Sequence, residues 1–264
     1  ISFAFPGPAD YENGIIGDLP NFPSFRGGVA LGPFLKHKYG IPVFIENDGN
    51  LFAYGEALSG ALPMINRELS LAGCSREYKN LIGITLGTGF GGGDIWLMRN
   101  KKYPDMLAEE SVSIRAVRRV YSDLSGQSSA SLSPKDIYDI AEGIKEGDSH
   151  AAIASFNELG IMAGAAIASV LNVVDGLVVI GGGVAGASKY ILPALITELR
   201  AQLTTFSGNK FPCVSMQVYN GEDESERARF LSLSDSQVVI PGTHLTTTYH
   251  QLKQTLVLCS KEGA

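Results

Sequence analysis

Two short apolar runs, each followed at once by a cluster of glycines, constrain the fold of this chain most strongly. Residues 81–86 (LIGITL) lead into the glycine-rich stretch 87–93, and residues 177–180 (LVVI) lead into three consecutive glycines. Apolar runs of this length are typical of strands that are buried on both faces of a parallel sheet. Because helical patterns alternate with such runs along the chain, the sequence predicts an α/β fold with a largely parallel sheet.

The remaining segments complete this alternating pattern. Apolar residues at helical spacing predict helices over residues 29–39, 49–59, 111–124, 134–145 and 151–171. Further strands are predicted over residues 1–5, 43–45, 237–240 and 246–249, the first of them as a buried strand. Residues 10–28 read as a Gly- and Pro-rich loop, 63–79 as a helix-like bridge and 220–229 as a solvated charged surface. Ser133 is the expected N-cap of the fourth helix, with Pro134 at its first position.

The turn Glu46-Asn47-Asp48 stands between a predicted strand and a predicted helix. Open α/β sheets bind their ligands at the edge where strands end and helices begin. A carboxylate at that edge can take a proton from a substrate hydroxyl, and a neighbouring amide can orient the hydroxyl. Asp48 is therefore either a catalytic base assisted by Asn47 or the N-cap of a helix starting at Gly49, a role in which Asp is common.

The two glycine clusters are candidates for phosphate or nucleotide contacts. Glycines let the backbone approach a phosphate closely and point N–H groups at it, and the hydroxyl of Thr88 between Gly87 and Gly89 adds a donor. The alternative for this loop is a glycine-rich hairpin without a ligand, and it is not a Walker A loop, because no Gly-Lys-Ser/Thr follows. Gly182 and Gly183 suit either contact with adenosine or its phosphate, or a tight strand-to-helix turn.

Composition excludes several classes of protein. A formal charge of −6 argues against a broad basic face for nucleic acid. Three widely spaced cysteines without a CxxC pair form neither a disulfide framework nor a zinc knuckle, so a reducing cytoplasm is expected. The most apolar stretch, residues 161–185, is interrupted by Asn172, Asp175 and Gly176, where a helix-to-strand turn is expected, so no membrane span is predicted.

The order of the signals, a carboxylate turn, a glycine hairpin and then Gly-Gly-Gly-Val-Ala, resembles the ROK family, whose name joins repressors and sugar kinases. The resemblance extends from residue 1 to about residue 185. It is carried by the stretches PGP (6–8), NFP (21–23), IPVFIENDGN (41–50), LGTGFGGG (86–93) and VIGGGVA (179–185). Each stretch is unspecific alone, whereas their combination and order are specific.

The resemblance implies a two-lobed, actin-like ATPase fold of the ribonuclease H-like type, with sugar and ATP meeting between the lobes. Residues 1–66 would be the remainder of an N-terminal sugar-binding lobe, and residues 67–264 a C-terminal lobe with the phosphate and adenosine loops. Asp48 is then the base that removes the proton of a sugar hydroxyl as it attacks the γ-phosphate of ATP, with Mg²⁺ present. The other implied contacts are Gly7 and Asn47 with the sugar, Gly87, Thr88 and Gly89 with phosphate, and Gly182 and Gly183 with adenosine.

The chain also departs from the family pattern. The family's opening DxGGT phosphate loop does not occur, so we expect an incomplete N-terminal lobe and no phosphorylation by this segment alone. Where zinc-containing members carry ExGH, this chain has Asp94-Ile95-Trp96-Leu97, and since Leu97 cannot bind zinc, zinc is not expected. Asp94 is a candidate replacement for the sugar-binding glutamate, although it follows Gly93 abruptly, as though a strand and turn were missing.

A second sugar-binding glutamate of the family corresponds to Glu109, four residues before Ser113, with Glu110 as an adjacent competitor. The alternative is a surface pair of carboxylates at a helix N-terminus, favoured by the helix dipole. The family's terminal helix is not recognisable after Thr255.

Two functions of different kinds follow from the resemblance. The first is ATP-dependent phosphorylation of a hexose or N-acetylhexosamine by a cytoplasmic homodimer without a membrane partner. The alternative is the sugar-sensing domain of a ROK-type repressor, which would contact nucleic acid only through an upstream DNA-binding domain, or a catalytically inactive homologue. A DxGGT loop upstream would favour the kinase, and a helix-turn-helix the repressor.

Overall fold

The computed structural model describes residues 1–19, 22–232, 236–250 and 252–261, with only the backbone described at Asp94. Asn21, in one of the ROK-like stretches, therefore lies outside the described residues. Helices and mainly parallel strands alternate through most of the chain, and the α/β prediction is confirmed.

The first part of the chain forms short strands and three helices. The strands are β1 (Ser2–Ala4), β2 (Ala9–Asp10), β3 (Ile15–Ile16) and β4 (Phe44–Glu46), and the helices are α1 (Leu31–Tyr39), α2 (Asp48–Leu58) and α3 (Ala61–Leu71). β1 and β4 pair in parallel, with Ala4 opposite Glu46. The prediction of a buried strand at residues 1–5 is wrong in its burial, because Ser2 and Ala4 are exposed and Phe3 is half-buried.

A five-stranded sheet lies at the centre of the molecule. The strands after α3 are β5 (Leu81–Leu86), β6 (Phe90–Gly91), β7 (Leu177–Gly181), β8 (Gln202–Thr204), β9 (Lys210–Pro212), β10 (Gln217–Asn220), β11 (Ser236–Val239), β12 (Thr246–Tyr249) and β13 (Gln254–Cys259). The sheet has the order β10-β13-β7-β5-β6, and all neighbours are parallel except the β5–β6 hairpin. β8–β9 and β11–β12 form separate antiparallel pairs.

Helices cover both faces of this sheet. The later helices are α4 (Ile114–Ser125), α5 (Pro134–Ala141), α6 (Ser149–Leu171), α7 (Ser188–Leu199) and α8 (Glu224–Leu231). Residues of β7 alternate between two clusters: Val178 and Ile180 pack with α4 to α7, whereas Leu177 and Val179 pack with α3 and α8. This period of two is what a strand buried on both faces requires.

Local signals in the sequence explain several helix ends. Ser133 and Asp136 form a reciprocal capping box at the start of α5, as the Ser-Pro signal predicted. α1 ends at Gly40, whose φ of 66° is a left-handed conformation that glycine adopts without strain. α4 begins three residues later than predicted, because Ser113 rather than an earlier residue is its N-cap. α5 ends at Ala141, four residues earlier than predicted.

The long apolar helix α6 lies in the protein core. Among the helices of the described residues, α6 is the one that is long and apolar enough to cross a membrane. However, 67% of its most apolar 18-residue stretch is buried inside the protein. It ends at Leu171 and β7 begins at Leu177, so the interruption at Asn172 to Gly176 is the predicted helix-to-strand turn. α6 is therefore a core helix packed between α4, α5 and α7.

Three strands of the central sheet, β6, β10 and β13, were not predicted as strands. β10 and β13 fall where the pattern weakens after residue 206, yet Leu256, Val257 and Leu258 of β13 are fully buried. β13 lies between β10 and β7, so it is an interior strand. Unlike β5 and β7, this run ends without a cluster of glycines. The charged run at 220–229 is largely solvated as predicted, but it forms much of α8.

Candidate active site

Both glycine clusters lie at the same edge of the central sheet. β5 and β7 are parallel neighbours, with Thr85 opposite Gly181, so their following loops leave the sheet side by side. The amide of Val184 donates a hydrogen bond of 3.0 Å to the carbonyl of Leu86. A Cβ atom on Gly182 would lie 2.4 Å from the same carbonyl oxygen, and the φ of Gly182 is +90°. Glycine is therefore required there by both space and conformation.

The first cluster is a hairpin with open space beside it. Leu86 and Phe90 pair across β5 and β6, and the amide of Gly87 donates to the carbonyl of Gly89 at 3.1 Å. Thr88 at the tip is exposed. A Cβ atom on Gly87, or on Gly183 of the neighbouring loop, would meet no protein atom within 4 Å. A ligand could therefore approach the backbone of both loops closely.

Asn47, and not Asp48, caps helix α2. The Oδ1 atom of Asn47 accepts a hydrogen bond of 3.2 Å from the amide of Asn50, and the helix begins at Asp48. The N-cap interpretation of Asp48 is therefore wrong: the extended backbone of Asn47 brings its own side chain to the cap position. The Asp48 carboxylate is exposed, and its Oδ1 atom accepts the amide of Gly49 at 3.0 Å. Its second oxygen has no hydrogen-bond donor among the described residues.

Asn47 is also held by Tyr11, a residue that the sequence did not indicate. The Nδ2 atom of Asn47 donates to the Tyr11 hydroxyl at 3.1 Å, and that hydroxyl donates to the carbonyl of Phe5 at 3.0 Å. Burial raises the pKa of Tyr11, and the negative charges of Asp48 and Glu46 raise it further, against the effect of the Asn47 hydrogen bond. A Cβ on Gly7 would lie 3.1 Å from the Tyr11 hydroxyl and 3.9 Å from the Asn47 amide nitrogen. Gly7, Tyr11 and Asn47 are thus brought together.

The start of α2 packs against the outgoing arm of the hairpin. A Cβ atom on Gly49 would lie 3.1 Å from the amide nitrogen of Gly92 and 3.4 Å from the Cα of Gly91. Farther along the helix, a Cβ on Gly83 of β5 would lie 2.7 Å from Ala53. Small residues therefore let α2 lie close to β5, and this contact places Asp48 next to the glycine hairpin.

Glu109 lies near the tip of the same hairpin, against Gly89 and Phe90. Its Oε2 atom accepts the amide of Phe90 at 3.1 Å, and a Cβ on Gly89 would lie 2.6 Å from that oxygen. Its Oε1 atom is 3.1 Å from a guanidinium nitrogen of Arg115, which is also 3.5 Å from Glu110. Glu109 therefore contacts the phosphate-loop candidate directly, whereas Glu110 is linked to it through Arg115. The side chain of Asp94, the other predicted sugar ligand, lies outside the described part of the chain.

A buried asparagine orders the loop that leads to Glu109. Asn100 is 1% exposed, and its Nδ2 atom donates to the Leu107 carbonyl and to the Ser111 hydroxyl. Its Oδ1 atom accepts the amides of Lys102 and Tyr103, both at 3.0 Å. An asparagine amide has two donors and two acceptor positions, so all are used. These bonds fix the turn Ala108–Glu110 that carries both glutamates.

Two surface cavities lie away from the glycine loops. One, of about 410 Å³, opens at the amino ends of β5, β7 and β13 and is lined by Tyr78, Asp175 and Lys253 among others. The other, of about 350 Å³, lies between α7 and β10. Asp48 lines neither of them. In the described part of the chain, no group of three or more His, Cys, Asp or Glu side chains is arranged to hold a metal ion.

Comparison with solved structures identifies the fold. A crystal structure of a glucokinase from Parabacteroides distasonis is similar to the chain with 54% sequence identity and a TM-score of 0.88. The likeness covers 99% of this chain and 76% of that one. Together with the parallel sheet, its covering helices and the glycine loops at one edge, this likeness defines an actin-like ATPase fold, as predicted.

Sequence comparisons identify the family. The model described as "ROK family" matches residues 1–101. A glucokinase of Thermotoga maritima is 38% identical over 93 residues, which are 35% of this chain and 25% of that protein. An N-acetyl-D-glucosamine kinase of Vibrio cholerae is 33% identical over 96 residues, 36% of this chain and 27% of that one. The chain belongs to the ROK family. Its match spans about a quarter of the length of these curated relatives.

Proposed function

We propose that the protein transfers the γ-phosphoryl group of ATP to a hydroxyl of a hexose or N-acetylhexosamine. One observation carries the proposal: the exposed Asp48 carboxylate stands at a helix start that touches Gly91 and Gly92 of the glycine hairpin. In this proposal the Asp48 carboxylate accepts a proton beside a backbone suited to phosphate. The kinase names of the similar proteins, a glucokinase and an N-acetyl-D-glucosamine kinase, support the same chemistry.

In the proposed reaction, Asp48 accepts the proton of the sugar hydroxyl while the hydroxyl oxygen bonds to the γ-phosphorus. The bond from that phosphorus to the bridging oxygen breaks, and ADP leaves. Phosphoryl transfer depends mainly on positioning and charge stabilisation, with a base to orient the nucleophile. The second oxygen of Asp48 suits this role, because only the first is engaged by the Gly49 amide.

The sugar would lie against Gly7 and Asn47. Oδ1 of Asn47 already caps α2 and one Nδ2 hydrogen is bound to Tyr11. Among the described residues the second Nδ2 hydrogen has no acceptor, and we propose that it binds a sugar hydroxyl. Two engaged atoms hold the amide in one orientation, so its free hydrogen points in a defined direction. Glu109 is proposed as a second sugar contact. Asp94 stays a candidate by resemblance.

The nucleotide would lie along the two glycine loops. Gly87, Thr88 and Gly89 would contact phosphate through backbone N–H groups and the exposed hydroxyl, and Gly182 and Gly183 would border adenosine. Mg²⁺ normally keeps several waters and binds through substrate phosphates with one or two carboxylates. The lack of a three-carboxylate cluster among the described residues is compatible with such a metal. When bound with ATP, Mg²⁺ would neutralise phosphate charge.

The direct test measures ADP release by the full-length protein with ATP and Mg²⁺ over a panel of hexoses and N-acetylhexosamines. We expect ADP formation to depend on one or a few of these sugars. The amount of ADP should equal the amount of sugar phosphate formed. Specificity would arise from hydrogen bonds to individual hydroxyls, so epimers should differ in kcat/KM. ADP release that is equal with and without every sugar would contradict the proposal. A sugar that binds tightly without turnover would favour a sensor instead.

Tyr11→Phe tests whether the orientation of Asn47 matters for the sugar. The variant loses the acceptor for Asn47 Nδ2 and the donor to Phe5. Since a hydrogen bond contributes about 1 kcal/mol, we expect KM for the sugar to rise about fivefold, while KM for ATP stays constant. Steady-state kinetics with each substrate varied in turn measure both constants. Tyr39→Phe is the matched control, because Tyr39 is 54% exposed on α1. An unchanged sugar KM in Tyr11→Phe would remove Tyr11 from the site.

Glu109→Gln and Glu110→Gln distinguish the two neighbouring carboxylates. Only Glu109 accepts the Phe90 amide, so we expect Glu109→Gln to lower kcat/KM for the sugar at least about tenfold, as for a lost charged hydrogen bond. Glu110→Gln should stay within about twofold, since the Glu110 side chain is 44% exposed. The reverse order of effects would assign the sugar contact to Glu110.

Several wider expectations go with this proposal. The division into a sugar-binding part (1–66) and a nucleotide-binding part (67–264), the homodimer and the cytoplasmic location are proposals of the same kind. The repressor alternative is less favoured, because a glucokinase structure with 54% sequence identity is similar over 99% of this chain.

A further inference from the structure

Arg115 places a positive charge at the glycine hairpin. It is the second residue of α4, and this helix begins against the hairpin, since the Ile114 amide donates to the Gly87 carbonyl at 3.0 Å. The guanidinium lies 3.5 Å from the Thr88 carbonyl and 3.1 Å from Glu109. Its side chain is 53% exposed, so a ligand in solution can reach it.

Within the described part of the chain, the guanidinium of Arg115 keeps N–H donors that have no acceptor. Arginine has five N–H donors, and the structure directs at most three of them at Thr88, Glu109 and Glu110. Ion pairs this exposed add little to stability, typically about 0–1 kcal/mol. Stability alone is therefore a poor reason for the arrangement. The two glutamates hold the long, flexible side chain of Arg115 over the tip of the hairpin.

The chemistry of the hairpin gives this charge a function. Glu109 and Glu110 beside the hairpin would repel a polyphosphate, and backbone N–H groups carry only partial charges to offset them. A guanidinium matches the geometry of phosphate oxygens and can bind two of them at once. In phosphoryl transfer, an arginine near the equatorial oxygens of the moving phosphoryl group stabilises the charge of the transition state.

We propose that Arg115 binds the γ-phosphoryl group of ATP and stabilises it during transfer. This inference rests on the proposed kinase function. The bonds formed and broken are those of the proposed kinase reaction. The sugar oxygen bonds to phosphorus, the bond to the ADP oxygen breaks, and the hydroxyl proton goes to Asp48. Arg115 forms no covalent bond and keeps its proton throughout. Its ion pair with Glu109 would link the occupied phosphate position to the proposed sugar contact.

The test compares Arg115→Gln and Arg115→Lys with the parent full-length protein. Titration with Mg²⁺–AMPPNP, which has a γ-phosphoryl group, and with Mg²⁺–ADP, which lacks one, measures both affinities by calorimetry. We expect Arg115→Gln to weaken AMPPNP binding about tenfold and to leave ADP binding within about twofold. It should lower kcat about 100-fold with the sugar KM unchanged, and Arg115→Lys should recover part of that loss.

Arg229→Gln is the matched control, because Arg229 is 67% exposed on α8 and only 3.9 Å from Glu226. It removes the same charge at a remote surface and should change neither affinity nor kcat. Equal weakening of AMPPNP and ADP in Arg115→Gln, or a raised sugar KM with unchanged kcat, would overturn the assignment to the γ-phosphoryl group. If the parent binds neither nucleotide, the proposed function fails as well. If it binds AMPPNP without phosphorylating a sugar, only the kinase proposal fails, and the two affinities still decide the role of Arg115.

Discussion

Replacing Asp48 with Asn is expected to lower kcat for sugar phosphorylation by about 10²- to 10⁴-fold, the usual contribution of a general base. Asn has nearly the same size as Asp and its amide oxygen can still accept the Gly49 amide, now at 3.0 Å from Asp48. It cannot take up a proton at neutral pH. Since Asn47 caps α2, the helix start should be unaffected, and the thermal unfolding midpoint should stay unchanged. Steady-state assays of ADP release and thermal unfolding measure the two effects.

Asp175→Asn provides the matched control for that experiment. Asp175 is 54% exposed, pairs with Lys253 and lies just before β7, at the opposite edge of the sheet from the glycine loops. The same chemical change there should leave kcat within about twofold, as for an ordinary surface substitution. Full activity of Asp48→Asn, or a loss explained by lower stability, would refute the assignment of Asp48 as the base.

The second large effect is expected from two separate substitutions, at Gly182 and at Gly183, in the glycine cluster that follows β7. Gly182→Ala places a Cβ 2.4 Å from the Leu86 carbonyl oxygen and demands a φ of +90° from alanine. Backbone strain and overpacking together should cost about 2–5 kcal/mol of unfolding free energy. A lower denaturant midpoint with an unchanged slope would show this loss.

Gly183→Ala, one residue along, separates fold from function. Its Cβ would meet no protein atom within 4 Å, so stability should change by less than about 0.5 kcal/mol. If adenosine packs against this backbone, the added methyl group should weaken Mg²⁺–ADP binding about tenfold, as measured by calorimetry. Unchanged ADP affinity in Gly183→Ala would move the nucleotide away from this loop. A stable Gly182→Ala protein would contradict the packing of the two loops.

Much of this fold could be predicted because its main signals are local in sequence. The run LIGITL forms β5 with the predicted bounds, and Ser133 caps α5 as its sequence context indicates. The turn at Asn47 and Asp48 was found, but the cap was assigned to the wrong residue of the two. Asp and Asn are equally good caps, and the backbone conformation of Asn47, which decides between them, is not visible in the sequence.

The contacts that shape the candidate site could not be predicted, because they join distant residues. Tyr11 and Asn47 are 36 residues apart, and Glu109 reaches an amide 19 residues before it. A lone tyrosine in a polar loop or an arginine in a helix carries no local sign of its partner. The spacing of residues in the sequence can predict that a strand ends where a helix begins. The directions of the side chains, however, depend on how α2 and α4 pack on the sheet.

The position of β13 also has a consequence for how the protein is made. Among the described strands, β10 pairs with β13 alone, and β13 separates it from β7. β7 precedes β13 by more than seventy residues. During synthesis, one edge of β7 can therefore pair with β5 early, while its other edge stays unpaired until β13 has been synthesised. Open edges of buried strands favour association with other chains. The nascent protein thus carries an unpaired strand edge between the synthesis of β7 and that of β13, and closure of this gap in the sheet depends on β13.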